Sequence, residues 1–190
     1  MGVRAVVFWN ISLLSAAVAY AEQRPIDTSK SELTVRVYKA GVFGALGHDH
    51  VITAPIKSGA VDASTRTVEL RVATASLKVQ DLGASDKDRE EIQSTMIGPE
   101  VLDVAHHPEI VFGSTNAEST GDGVWQVRGN LMIHGQSRPV ELEVREAGGH
   151  YRGSTRLKQS EFGIKPVKIA GGTIRVKDEI RIEFEIQLAR

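Results

Sequence analysis

The sequence predicts an all-β fold: about eight antiparallel strands wrapped around an apolar interior, with one helical insertion after the third strand. Three observations predict it. Apolar side chains recur at every second position through most of the chain. Short Gly- and Asp-rich turn signals separate these alternating runs. A single stretch, near the middle, abandons the period of two for helix signals.

The closing run shows the pattern most plainly. Residues 179–188 place Ile180, Ile182, Phe184, Ile186 and Leu188 on one face and Glu179, Arg181, Glu183, Glu185 and Gln187 on the other. One face of such a strand meets an apolar interior and the other meets water.

Taken in order, residues 22–30 are a polar lead-in and residues 33–38 alternate as a strand. Residues 41–47 form a glycine-rich bend around Phe43. Residues 50–61 are extended but interrupted by Pro55, which lacks a ladder donor and marks an edge or a bulge. Residues 62–65 make a turn, and residues 67–77 alternate again with Val68, Leu70 and Val72 on one side.

The helix follows. Ser85 is a cap for the backbone N–H of Asp88, and acids in the first turn suit the positive helix end. Ile92, Met96 and Ile97 supply its apolar stripe, and Gly98-Pro99 ends it.

Strands resume at residues 109–115. Gly121-Asp122-Gly123 turns into residues 124–133, where Trp125, Val127, Leu131 and Ile133 share a parity. Gly135-Gln136 turns into residues 138–145, with Val140, Leu142 and Val144 inward. Gly148-Gly149 turns into residues 150–157. Residues 162–168 are less regular. Gly171-Gly172 leads to residues 173–176, and a tight turn at Lys177-Asp178 precedes the last strand. Short turns pair consecutive strands antiparallel. Closing the sheet into a barrel removes its exposed edges, yet a two-sheet sandwich would show the same alternation, so periodicity leaves both open.

Composition bounds the rest. The 190 residues carry a net charge of −1, too balanced to point to nucleic acid or an anionic membrane as partner. There is no cysteine, so the apolar core must hold the fold without disulfides. Residues 1–21 read as a secretory signal peptide: Arg4, an apolar stretch of about 16 residues, then small Ala19 and Ala21 before a cleavage expected after Ala21. That stretch is shorter than the roughly 20 residues that span a bilayer. The expectation is an exported protein, compatible with a bacterial periplasm and without a stable membrane anchor, whose residues 22–190 form a single domain.

Three segments carry a resemblance. Residues 102–112 (Leu-Asp-Val-Ala-His-His-Pro-Glu-Ile-Val-Phe) look like a helix-to-strand passage, and residues 129–140 (Gly-Asn-Leu-Met-Ile-His-Gly-Gln-Ser-Arg-Pro-Val) like a central hairpin. Phe162-Gly163-Ile164 resembles an Asp-Phe-Gly-Ile segment, with Glu161 in the place of the acid. Their order, together with the signal peptide and the closing strand, resembles the YceI-like family of exported lipid-binding proteins over residues 27–188. The resemblance implies an extended, lipocalin-like barrel of eight antiparallel strands. It also implies an isoprenoid chain, such as a polyprenyl quinone, held in a long apolar channel. Two segments depart from the family pattern. Residues 94–100 replace a His-Leu-Arg-Ser-like stretch, and Gly47-His48-Asp49-His50 looks like a subgroup with paired histidines.

Candidate channel-lining residues are Val68, Leu70, Val72, Phe112, Val127, Leu131, Leu142, Phe162, Ile182 and Phe184. The bland reading of each is a filler of a solid core. His48 and His50, two apart, share a face of a strand and offer imidazole nitrogens to zinc or copper. His106, His107 and His134 are available to complete such a site if the fold brings them near, whereas the plain alternative has His48 or His50 bonding backbone at the glycine-rich bend. No Gly-x-Ser-x-Gly, His-Glu-x-x-His or phosphate-loop pattern is present. The sequence is therefore read as a binding protein, not an enzyme. It holds an isoprenoid or similar amphiphile and requires no cofactor beyond a bound lipid or quinone. A metal-binding periplasmic protein or metalloenzyme built on His48 and His50 is the alternative, and a homodimer is left open.

Overall fold

The computed structural model describes residues 23–40, 49–169 and 174–189. The predicted signal peptide, the glycine-rich bend at residues 41–47, His48 and the Gly171-Gly172 turn lie outside the described residues.

Alternation becomes one antiparallel sheet. Its strands are β1 (Gln23–Pro25), β2 (Glu32–Ala40), β3 (His50–Thr53), β4 (Ile56–Asp62), β5 (Thr67–Ala73) and β6 (Lys78–Val79). After the helix α1 (Asp86–Ile97) come β7 (Glu109–Gly121), β8 (Val124–Ile133), β9 (Gln136–Ala147), β10 (His150–Lys158), β11 (Lys168–Ile169) and β12 (Ile174–Gln187).

The expected eight strands are thus twelve among the described residues. One expected strand, residues 50–61, is broken in two, and β1 and β6 lie outside the expected strands. The Asp27 carboxylate accepts the Ser29 N–H and hydroxyl, turning the chain between β1 and β2. Pro55 falls between β3 and β4, where its missing N–H is no loss. A 3₁₀ turn at Thr74–Ser76 separates β5 from β6. The lead-in also contains a strand, β1, that its polar sequence concealed.

The sheet order is β1-β4-β5-β7-β8-β9-β10-β12-β2-β3-β6, with β11 on β12. The short strands accordingly pair in two series: β1 with β4 and β2 with β3, then β4 with β5 and β3 with β6. Ahead of β2, Ile26 bridges Leu188, and Ala189 N–H donates to Pro25 O at 2.8 Å. The pairings so return from β12 to β1, and the sheet curls onto itself.

Three tight turns need left-handed backbone. Asp122-Gly123, His134-Gly135 and Gly148-Gly149 have φ of 50° and 72°, 49° and 70°, and 61° and 81°. Two consecutive positive φ values match the twist of the flanking strands. The second turn lies one residue earlier than expected, at His134-Gly135. The turn expected at Lys177-Asp178 is absent, because β12 continues through a bulge between Val176 and Ile180. Asp178 instead accepts the Ser160 N–H and hydroxyl at 2.8 and 2.6 Å, tying β12 to the 3₁₀ turn Gln159–Phe162.

α1 is the only α-helix among the described residues. Ser85 Oγ accepts the Asp88 N–H, as its position predicts. Gln93 then pins the helix to the sheet: its amide accepts from Val79 N–H and donates to Leu77 O at 3.0 and 2.9 Å. Met96, Val101 and Leu102 pack on the interior at this end, beside Leu77, Ile133 and Phe162. No helix among the described residues is long and apolar enough to cross a membrane.

Candidate functional site

The inward faces of the curled sheet do not meet. Between them lies a cavity of about 750 Å³. That volume falls within the range of small-molecule sites.

All ten residues expected to face this space line it. Val68, Leu70 and Val72 come from β5, Phe112 from β7, Val127 and Leu131 from β8, and Leu142 from β9. Ile182 and Phe184 come from β12, and Phe162, almost wholly buried, from the 3₁₀ turn. The first strands contribute as well, through Val35, Val37 and Ile52. Their alternation was visible in the sequence, but only the curl of the sheet brings them opposite β8 and β9.

Two glycines lie beneath aromatic rings of the lining. A β-carbon at Gly129 would lie 2.7 Å from the Phe112 ring, and one at Gly153 would lie 2.5 Å from the Phe184 ring. Each ring thus rests against bare backbone of the neighbouring strand instead of projecting inward.

At both ends the lining turns charged, with Lys39, His50, Asp88, Glu91 and Arg175 at the α1 end and Asp62 and Arg66 at the other. That second end also carries the aromatic side chains Trp125 and Tyr151. The Trp125 Nε1 is buried and has no hydrogen-bond partner. A buried donor left unpaired is costly and calls for an explanation. Burial, then the Glu146 charge, raise the pKa of the Tyr151 hydroxyl. It therefore stays a neutral donor at physiological pH. Trp125 was assigned to the inward parity in the sequence; that its N–H would be orphaned was not legible there.

His50 lines the rim, and its Nδ1 lies 2.5 Å from Asp81 Oδ2. Asp81 is 4% exposed, and its Oδ1 accepts the Val51 N–H at 2.8 Å. The pair ties β3 to the loop that leads into α1. His48 lies outside the described residues, so the structure tests only half of the expected histidine pair. Among the described residues the potential metal ligands gather elsewhere: Asp103, His107 and His134 place one donor atom each within 4.8 Å of one another.

A curled antiparallel sheet around an apolar space of ligand size is the architecture of proteins that hold hydrophobic molecules. The chain belongs to the YceI-like domain family, whose model matches residues 25–188. It is 26% identical over 168 residues to a UPF0312 protein of Shewanella putrefaciens, covering 82% of this chain and 84% of that one. It is 29% identical over 166 residues to a UPF0312 protein of Azotobacter vinelandii, covering 81% and 82%. Among solved structures, Burkholderia cenocepacia BcnA superposes with a TM-score of 0.60 at 19% identity, over 87% of this chain and 99% of BcnA. A Campylobacter jejuni YceI protein gives 0.52 at 13% identity, over 73% and 81%. At these identities the two structures speak for the fold.

Proposed function

We propose that this protein is an exported carrier that holds one isoprenoid-type amphiphile, such as a polyprenyl quinone, inside the sheet. The observation that carries the reading is the cavity, apolar between its charged ends, with glycines beneath Phe112 and Phe184. Burial is worth about 25 cal/mol per Å² of apolar surface, so a branched hydrocarbon chain can be held there without a hydrogen bond.

The twelve strands act as eight runs of an extended, lipocalin-like barrel. Its aliphatic walls suit a branched chain better than a flat ring system. The orphaned Trp125 N–H supplies one donor for an acceptor on that ligand, such as a quinone carbonyl. Export follows from the predicted signal peptide, and the work of the protein is binding, not turnover.

The test is mass spectrometry of the protein purified from its own host, under native conditions and after solvent extraction. One prenyl lipid per chain is the expected result. A protein that carries no lipid, and takes up none from a mixture of quinones and polyprenols, would end the proposal. Separation of periplasm from cytoplasm, with amino-terminal sequencing, checks the export and the cleavage after Ala21.

A further inference from the structure

We propose that Asp103, His107 and His134 bind a single divalent transition-metal ion, of the kind zinc represents, at a site outside the channel.

The chain builds this trio from two distant segments. After α1 the chain makes one more turn. Asp103 N–H donates to Gly98 O, and the N–H groups of His106 and His107 donate to Asp103 O at 3.0 and 2.8 Å. That turn sets Asp103 and His107 on the same side, four residues apart. His134 is the first residue of the turn between β8 and β9. Its ring meets that of His107 edge to face, with centroids 4.5 Å apart. A β-carbon at Gly135 would lie 2.9 Å from His107 Cε1, so glycine admits the ring.

Three features suit a ligand set better than an ordinary polar cluster. First, donor atoms from all three residues lie within 4.8 Å of one another. Zinc bonds of about 2.0–2.1 Å in a tetrahedron set donors roughly 3.3 Å apart, so the donors need to draw in by about 1.5 Å at most to hold an ion. Second, neither ring nitrogen of His107 or His134 makes a hydrogen bond among the described residues, although both side chains are half-buried. Third, Asp103 has a φ of 44° at a position that no hairpin turn requires. Left-handed backbone is sparsely populated by residues with a β-carbon, and strain of this kind gathers at functional positions.

The surroundings hold the trio in place. His106 Nδ1 lies 2.9 Å from both Asp103 oxygens. This contact fixes the orientation of the Asp103 carboxylate. A partner that orients a ligating group is the usual second layer of a metal site. The buried Thr74 hydroxyl donates to His107 O at 2.6 Å and anchors the backbone of that ligand.

Two imidazoles and one carboxylate suit zinc and its neighbours in the first transition row. Three protein ligands leave a fourth position for water. The bound ion would cross-link the α1-to-β7 connection to the β8–β9 turn. None of the three residues lines the cavity, so metal and lipid occupy separate places.

The experiment uses protein freed of metal by chelator dialysis. Calorimetric titration with Zn²⁺ is expected to show one equivalent bound. Co²⁺ is expected to give the strong visible absorption of a tetrahedral ion. His107→Gln, Asp103→Asn and His134→Asn are expected to weaken Zn²⁺ binding by more than roughly a hundredfold, and His106→Asn by roughly 10- to 100-fold. Asn is chosen at the two left-handed positions because it tolerates that backbone. Zinc affinity equal in the wild type and the variants would overturn the proposal. So would a Co²⁺ spectrum of the hydrated ion with the wild-type protein, a readout that depends on no variant folding.

Discussion

Gly153 lies directly across from Phe184 in the β10–β12 ladder, and a β-carbon on it would sit 2.5 Å from Phe184 Cζ and 2.6 Å from Glu143 O. Gly153→Val must therefore push the ring off the wall or spread the β9–β10 pair. Overpacking of this kind costs about 1–3 kcal/mol. A lower urea midpoint, together with reduced uptake of a polyprenyl quinone, is the expected outcome. Wild-type values of both would mean that the ring does not need bare backbone beneath it.

Leu142 separates occupancy from folding. It lines the cavity from β9 and is only partly buried, because one side of it faces open space. Leu142→Trp is expected to fill that space and lower lipid uptake several-fold while the thermal midpoint stays near or above the wild-type value. A variant that loses stability and keeps its capacity would indicate that Leu142 packs in a solid wall.

Asp81 is expected to matter for the α1 end of the sheet. Its carboxylate serves both His50 and the Val51 N–H from a nearly sealed position. Asp81→Ala leaves the half-buried Val51 N–H unpaired, at a cost of about 1 kcal/mol. Urea denaturation reads the loss, and faster amide exchange at Val51 locates it.

Glu185 sets an acid limb of stability. Arg152 grips it with two hydrogen bonds of 2.8 Å, and His150 adds a third at 2.7 Å. Chiefly through Arg152, these partners lower its pKa from 4.5 to about 2. A carboxylate depressed on folding contributes stability above its unfolded pKa, and that contribution fades as pH falls through the folded one. The pH profile of unfolding should therefore slope between about 4.5 and about 2, and Glu185→Gln should flatten that slope. An unchanged slope in the variant would assign the acid limb to other carboxylates.

Much of this molecule was legible in its alternation. The inward parity of β5, β8, β9 and β12 follows from side chains that can face only one way, and the same rule gave the eight lining residues on these strands, whereas Phe162 rested on the resemblance of its Phe-Gly-Ile segment. The Ser85 cap gave the start of α1. Breaks and continuities within strands were harder. Pro55 announced one interruption, but Thr74–Ser76 carries no Gly or Pro, and its turn is fixed by long-range bonds from Thr74 to His107 and Pro108. Lys177-Asp178 looked like a turn because Asp favours turns; the Ser160 bonds to Asp178 hold it inside β12 instead. His107 and His134 were visible as histidines. Their meeting depends on how the β8–β9 turn folds against the end of the helical connection, and no local pattern encodes that.

Trp125 is the only tryptophan of the described chain, and its indole N–H is sealed without a partner. It is thus a built-in fluorophore in the part of the molecule where a guest would lie. A hydrocarbon tail alone would leave its emission blue, whereas a carbonyl reaching the indole would redden or quench it. In a chain cleaved after Ala21, which loses Trp9, the optical signal of a single side chain would then report filling of the protein, and the chemistry of what fills it, with no label added.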